Sequence, residues 1–190
     1  MQGYFAILTL LSLIILVIIR AKMLGKKGIK VFRFGELDKK DFLIPPFALL
    51  YFYLIFAEVF GFPKLGARLF YNGIVSWVGV VLCILGIMLF LWSLISFGKS
   101  FRVGIDEEKP GELITKGAFA ISRNPIYTSF GMVLAGIFFI MPNWIKLLYD
   151  LAGGWLFNRQ VKLEEASLRK IYGKNMKNTV KEFGDIYKIG

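Results

Sequence analysis

The sequence predicts an all-α fold, an integral membrane helical bundle with about five transmembrane helices. Hydrophobic residues make up 56% of the 190 residues, which is high for a soluble domain. They are concentrated in five long apolar runs, and a full helical span needs about 20 predominantly apolar residues. The runs cover residues 4–19, 42–62, 74–97, 126–141 and 145–157.

The first three runs each predict one membrane span, and the last two predict a C-terminal helical hairpin. The last two runs are short for full spans, and Pro142-Asn143 between them is a turn signal. We expect these two helices to be tilted or to cross only part of the bilayer. The fifth helix is expected to continue from Asn158 as a cytoplasmic C-terminal helix. The chain 1–190 is then a single membrane domain, with three spans in 1–97 and the hairpin half in 98–190.

Small and charged residues inside the apolar runs are expected to serve packing or charge balance. Two pairs of small residues at four-residue spacing predict close helix packing; they are Gly79 with Cys83 and Gly131 with Ala135. Lys146 and Asp150 are also four residues apart, so they share a helix face, and we expect them to neutralise each other or to lie near the membrane edge. Glu58 lies near the end of the second run, and we expect its carboxylate to reach the membrane interface.

The positions of the basic residues that give the net charge of +11 predict how the chain is oriented in a membrane, and they do not indicate nucleic-acid binding. The basic residues cluster beside the apolar runs, in 20–40, in 99–123 and after 158, where Lys and Arg set topology and meet anionic lipids. We therefore expect a multi-pass protein of the cell membrane, or of the endoplasmic reticulum membrane in a eukaryote, with its N-terminus outside and its C-terminus cytoplasmic. The chain has no histidine and one cysteine, so we expect no metal site and no disulfide framework.

The start of the fourth run has the residues of an anion site. Asn124 before Pro125 is a strong helix start, because Asn can cap free amides and Pro loses no hydrogen bond at the first helical position. The free N–H groups of Ile126 and Tyr127, the helix dipole and Arg123 would together attract an anion. The alternative is that the Asn-Pro pair only caps the helix.

Two adjacent glutamates, Glu164 and Glu165, are candidates for a cation site. On a helix over 159–172, Glu165 falls inside an apolar stripe formed by Val161, Leu168 and Tyr172. A carboxylate facing packed surface is costly unless it is paired or binds a ligand. The alternative is a plain ion pair with a basic residue, either Arg159, Lys162 or Arg169 on the same helix or an arginine from another loop. With the anion site, the glutamates predict a ligand that carries both charges.

Taken in order, these pieces resemble the isoprenylcysteine carboxyl methyltransferase family. The pieces are Gly111-x-Leu-Ile-Thr-x-Gly-x-Phe119, Arg123-Asn-Pro-Ile-Tyr127 and Glu164-Glu-x-x-Leu168, followed by Tyr172-Gly173. Membrane phospholipid methyltransferases share much of this pattern. The resemblance covers roughly residues 98–175, and the first two spans carry no recognisable signature.

The resemblance implies an S-adenosylmethionine-dependent methyltransferase acting on a lipophilic acceptor, with the cofactor bound in the hairpin half. The implied cofactor-binding residues are Leu113, Ile114, Thr115, Gly117, Phe119, Asn124, Pro125, Ile126, Tyr127, Glu164 and Glu165. Arg123 would form the pocket wall, and Arg123, Arg159 and Glu164 are the candidate catalytic residues. The expected partners are the lipophilic acceptor and membrane lipids, with no nucleic acid.

The sequence departs from the family pattern at three places. Asn124 replaces the usual His, and Gln160 stands where an Arg often precedes the glutamates, with Arg159 beside it as a substitute. Met176 and Thr179 stand where paired tyrosines are common. An acceptor carboxylate is already ionised and needs no base, so a chain without histidine favours carboxylate methylation. The alternatives are a phospholipid N-methyltransferase, an NADPH-dependent sterol-type reductase, and a non-enzymatic membrane protein.

Overall fold

The computed structural model describes residues 2–28, 44–98 and 114–172, with side chains given for all of these except 44–45 and 167–172. Within these ranges the chain forms six helices and no strand, so the all-α prediction is confirmed for them. The helices are α1 (Gln2–Gly25), α2 (Ile44–Phe60), α3 (Gly73–Phe97), α4 (Ala118–Ile121), α5 (Pro125–Ile140) and α6 (Trp144–Tyr172).

The long helices run alternately up and down, which gives the bundle two distinct ends. At one end, Arg20 near the end of α1 donates a hydrogen bond to the carbonyl oxygen of Gly98 after α3. We call this the site end, because α5 begins there and α6 finishes there. At the other end, Ser76 near the start of α3 donates to the carbonyl oxygen of Ile140, 3.4 Å away. We call this the turn end, because the short 141–143 turn joins α5 to α6 there.

Helices α3 and α5 form the most extensive helix pair in the described part of the chain. A Cβ added at Gly79 would lie 2.5 Å from the carbonyl oxygen of Gly136, and one at Gly136 would lie 2.7 Å from the sulfur of Cys83. The predicted packing role of Gly79 and Cys83 is therefore confirmed. The same prediction for Gly131 is wrong, since nothing lies within 4 Å of a Cβ added there. Gly131 is exposed, and Gly136 provides the close approach on α5 instead.

Two helices, α1 and α3, are long and apolar enough to cross a membrane, and the apolar parts of α2 and α5 are shorter. Both long helices expose large apolar side chains, among them Leu8 and Ile74, and Ile74 is 79% exposed. Continuous apolar surface of this kind suits contact with lipid. The five spans and the orientation stay predictions. Helix α6 runs unbroken for 29 residues, so the expected extension of the fifth helix past Asn158 is confirmed, as part of the same helix.

The charged residues at the turn end pair differently from the prediction. The ammonium of Lys146, 1% exposed, donates to Glu58 on α2 and not to Asp150. The side chain of Glu58 is 14% exposed and is paired with this ammonium, and the expectation that its carboxylate reaches the membrane interface stays a prediction. Its other carboxylate oxygen lies 3.5 Å from Arg68. The reason is tertiary: α2 packs beside α6 and brings a carboxylate to the level of Lys146, where a buried ammonium needs a partner.

Candidate active site

The loop before α5 is anchored on the end of α3. The backbone N–H of Ala118 donates to the hydroxyl of Ser96 over 3.0 Å, and the ring of Phe119 packs edge-on against Phe97 with centroids 4.8 Å apart. Gly117 has φ +68, and an added Cβ would collide with the Ser96 side chain, so this position needs glycine. The Gly117 and Phe119 positions singled out by the sequence therefore lie at the site end.

Five other positions singled out in this half of the chain have different outcomes. Ile114 and Thr115 are half-buried and directly precede the anchored loop. Leu113, Met176 and Thr179 lie outside the described residues, so the predictions made for them stay predictions.

Helix α5 begins at Pro125, as predicted, but Asn124 does not cap it. Asn124 has φ −130 and ψ 62, and its side chain makes no capping hydrogen bond within the described structure. A side-chain cap normally needs a β-region backbone, and this ψ is well below that region. The turn is held by hydroxyl groups instead. Ser122 accepts a hydrogen bond from the backbone N–H of Asn124 at 3.3 Å, and its hydroxyl lies 3.0 Å from that of Thr128.

The missing cap leaves the start of α5 suited to an anion. With Pro at the first position, the first N–H groups of the helix belong to Ile126 and Tyr127, and the Asn124 side chain bonds to neither. Thr128 is the first residue whose N–H joins the helix, donating 3.0 Å to the carbonyl oxygen of Asn124. Arg123 is exposed directly before this helix start. These amides, the helix dipole and a nearby guanidinium are the components of an anion site.

A hydrogen bond joins this helix start to the glutamate pair. The hydroxyl of Tyr127 on α5 donates to Oε1 of Glu164 on α6 over 2.6 Å. The side-chain amide of Gln160, one turn earlier on α6, lies 3.4 Å from the same oxygen. Tyr127 and Glu164 are 37 residues apart in sequence, so only the packing of α5 against α6 brings them together. The arrangement joins a carboxylate of α6 to the side chain of a residue in the first turn of α5.

The two glutamates are both half-buried on α6, and so is Arg159. The sequence singled out Glu165 as the carboxylate inside an apolar stripe, whereas Glu164 is the one that Tyr127 contacts. The side chains of Leu168 and Tyr172, which would complete the predicted stripe, lie outside the described side chains. The predicted roles of Glu165 and Arg159 therefore stay predictions.

An aromatic wall leads from this contact into the bundle, and the sequence analysis did not single it out. The ring of Phe157 lies 5.7 Å from that of Tyr127 and 5.9 Å from that of Phe130. Phe130 in turn lies 5.3 Å from Phe90 on α3. Phe157 precedes Glu164 by seven residues, two helical turns on the same face, and this spacing was the available signal.

Comparison with known proteins agrees with the motif pattern. The family model for phospholipid methyltransferases matches residues 74–175, which cover α3 to α6 and every described site residue named above. The chain belongs to the phospholipid methyltransferase family. The resemblance drawn from the loop, the Asn-Pro helix start and the glutamate pair is therefore confirmed.

Curated relatives of this family member are isoprenylcysteine methyltransferases by name. Two of them, from Oryza sativa subsp. indica and subsp. japonica, are each named probable protein-S-isoprenylcysteine O-methyltransferase. Each is 28% identical to this chain over 120 residues, which cover 62% of this chain and 61% of the relative. Protein-S-isoprenylcysteine O-methyltransferase B from Arabidopsis thaliana is 28% identical over 121 residues, 62% of this chain and 59% of that protein. The chain thus spans about three fifths of the length of these relatives. No solved structure matches the chain significantly.

Proposed function

We propose that this family member is an S-adenosylmethionine-dependent methyltransferase that methylates a carboxylate on a lipophilic acceptor. The observation that carries the proposal is the 2.6 Å hydrogen bond between Tyr127 and Glu164. It holds a carboxylate beside a helix start whose first amides carry no side-chain cap. A cation site and an anion site at one end of the bundle are what an amino-acid zwitterion requires.

The residues present fit the amino-acid end of S-adenosylmethionine. The amides of Ile126 and Tyr127, with Arg123 at the rim, suit its carboxylate, because the N–H groups at a helix start and the helix dipole attract an anion. Glu164, with Glu165 beside it, suits its ammonium. When bound, the cofactor supplies a methyl group activated by the adjacent sulfonium.

The side chains of this site can bind, orient and exclude water. Tyr127 holds the Glu164 carboxylate in place, and the Phe157 ring packs beside Tyr127 and limits the access of water from the bundle side. Methyl transfer from a sulfonium to an oxyanion disperses charge, so alignment in a dry site supplies much of the catalysis. The acceptor carboxylate enters as the anion, so no proton has to be removed. This is consistent with a chain that contains no histidine.

The lipophilic acceptor is inferred from the surface of the bundle and from the names of the relatives. Helices α1 and α3 expose apolar side chains suited to lipid contact, and the wall of Phe90, Phe130 and Phe157 leads from the bundle core to Tyr127. The curated relatives are named for isoprenylcysteine, a lipid-modified carboxylate. We further propose that the site end faces the cytoplasm, because among the described residues the basic side chains are more numerous there, with Lys22, Lys27 and Arg123 among them, than at the turn end.

A phospholipid N-methyltransferase is the second candidate, favoured by the description of the matching family model. Its amine acceptor would have to lose a proton before transfer, so a carboxylate of the glutamate pair would have to act as base. The two candidates predict different products, a base-labile methyl ester and a base-stable N-methyl group.

Two measurements on the purified protein test the proposal, one for the cofactor and one for the acceptor. Calorimetric titration with S-adenosylhomocysteine should give saturable binding, and titration with NADPH should not. Transfer of a radiolabelled methyl group should then proceed to a prenylated cysteine analogue but not to its carboxamide, with the label released by mild base. Binding of NADPH alone would indicate a reductase, and binding of neither ligand would refute the cofactor site. Base-stable label on phosphatidylethanolamine would replace the first acceptor with the second.

A further inference from the structure

A polar pocket lies at the turn end, opposite the contact between Tyr127 and Glu164. It has a volume of about 200 Å³ and opens between the loop after α2 and the turn that joins α5 to α6. The lining includes Glu58, Lys64, Arg68, Tyr71 and Asn143. The volume equals that of roughly seven water molecules at about 30 Å³ each, enough for a phosphate group and part of its ester.

The walls of this pocket are held together by hydrogen bonds across the chain. The side-chain amide of Asn143 donates to the carbonyl oxygens of Leu65, at 3.0 Å, and Gly66, at 3.2 Å. Nη2 of Arg68 donates to the carbonyl oxygen of Ile140 over 3.1 Å. Gly66 has φ +79, a backbone conformation in which a residue with a side chain would be strained. The pocket is therefore part of the folded bundle and does not depend on a ligand to assemble it.

The charges around the pocket leave a positive excess. Lys64, Arg68 and the buried Lys146 face one carboxylate, Glu58, whose two oxygens already engage Lys146 and Arg68. Asp150 lies one helical turn deeper than Lys146, and including it still leaves one positive charge. Nε of Arg68 is buried and has no hydrogen-bond acceptor within the described residues. Lys64 and a guanidinium in excess over the one carboxylate of the lining favour an anionic ligand.

Exposed aromatic residues surround the turn end, where the mouth of this pocket opens, and they suit the level of lipid head groups. They belong to α1, α2, α3, α6 and the intervening loop; they are Tyr4, Phe60, Phe62, Tyr71, Trp77 and Trp144. Trp and Tyr are enriched where a bilayer meets water. A phosphate diester at that depth lies within reach of Lys64, which is exposed, and of the half-buried Arg68.

We propose that this pocket binds the phosphate of an anionic phospholipid. Arg68 and Lys64 supply the charge, and Tyr71, whose ring centroid lies 4.2 Å from the Arg68 guanidinium carbon, holds that guanidinium in place. Inorganic phosphate shares the recognised chemistry, but the ring of aromatic residues favours the lipid as the source. The proposal concerns the turn end only and does not depend on the methyltransferase site.

The test uses the full chain in detergent and measures apparent Kd from the ligand-dependent rise in the unfolding temperature. The ligands are short-chain phosphatidylglycerol, short-chain phosphatidylcholine and inorganic phosphate, each below its micelle-forming concentration where one exists. Lys64→Glu is the test variant, because this exposed side chain can be changed without disturbing the bonds that Arg68 makes. Lys27→Glu is the matched control, with the same charge change on an exposed residue at the site end.

For the wild type we expect phosphatidylglycerol to bind more tightly than phosphatidylcholine and inorganic phosphate. Lys64→Glu should weaken phosphatidylglycerol binding about tenfold, equivalent to about 1.4 kcal/mol, and Lys27→Glu should leave it within about twofold. A Kd unchanged within twofold in Lys64→Glu would overturn the proposal, and so would equal weakening in the two variants. Inorganic phosphate binding as tightly as phosphatidylglycerol would overturn the assignment to a lipid.

Discussion

The hydrogen bond from Tyr127 to Glu164 can be tested by a double-mutant cycle on cofactor affinity. Tyr127→Phe removes only the hydroxyl, and it keeps the ring that packs 5.7 Å from Phe157. Glu164→Gln keeps the size of the side chain and removes its charge. The double variant closes the cycle. If Tyr127 acts by orienting the Glu164 carboxylate, its contribution should disappear once that carboxylate is absent.

The expected magnitudes follow from the 2.6 Å bond and the half-burial of both side chains. A hydrogen bond to a charged group contributes about 1.5–3 kcal/mol, and partial exposure places this one at the lower end. Glu164→Gln should weaken S-adenosylhomocysteine binding at least about tenfold, equivalent to about 1.4 kcal/mol. Tyr127→Phe should weaken it less, about threefold to tenfold, because the carboxylate keeps its charge and its other contacts, among them the 3.4 Å contact with Gln160. The double variant should bind about as weakly as Glu164→Gln alone.

Calorimetric titration of the four proteins in detergent measures these affinities, with circular dichroism as the check that each protein is folded. Tyr53→Phe is the matched control, because it removes a tyrosine hydroxyl that bonds to the carbonyl oxygen of Pro63, 3.0 Å away at the turn end. It should leave the affinity unchanged. The coupling would be refuted if the loss of binding free energy in the double variant equalled the sum of the losses in the two single variants to within about 0.5 kcal/mol. An affinity unchanged within twofold in a folded Glu164→Gln protein would refute the cation site itself.

Three further changes test the rest of the site and the fold. Arg123→Ala should weaken binding of S-adenosylhomocysteine more than binding of its decarboxylated analogue; equal losses by calorimetry would mean that Arg123 does not read the carboxylate. In a Cys83→Ala background, Ala67→Cys should react with an impermeant thiol reagent added outside intact cells, whereas Lys27→Cys should react only after the membrane is opened. The reverse labelling pattern would overturn the predicted orientation. Gly79→Ala should destabilise the bundle by about 1–3 kcal/mol, measured by thermal unfolding, because the added Cβ would lie 2.5 Å from a backbone carbonyl oxygen of α5. An unchanged unfolding temperature would show that α3 and α5 can move apart without loss of stability.

The helices were largely predictable because each long apolar run has to satisfy its backbone hydrogen bonds internally. The run at 74–97 became the helix Gly73–Phe97, and the run at 126–141 became Pro125–Ile140. Pro at the first helical position and the turn at Pro142 set the boundaries of the hairpin. The short helix Ala118–Ile121 was not predicted, because four residues carry no periodic signal.

Predictions from short sequence patterns were wrong where the surrounding structure decided what a residue contacts. An Asn before Pro usually caps a helix, yet Asn124 does not, because its ψ of 62 leaves the region that capping requires. The hydroxyls of Ser122 and Thr128 hold that turn instead. The small residue Gly131 has the right spacing for close packing, but it faces away from α3. Sequence spacing identifies a helix face, and only the neighbouring helix decides which face is used.

The sequence by itself determined the apolar helices, the excess of basic residues near the site end, and the ordered motifs by which the family was identified. Each depends on residues that are close in sequence. The tertiary structure decided which side chains meet. Lys146 finds Glu58, 88 residues away, in preference to the nearer Asp150, and Tyr127 finds Glu164 across the hairpin. Such pairs depend on how far each helix is rotated and shifted against its neighbours, which is set by the packing of whole helix faces such as the glycine contact between α3 and α5.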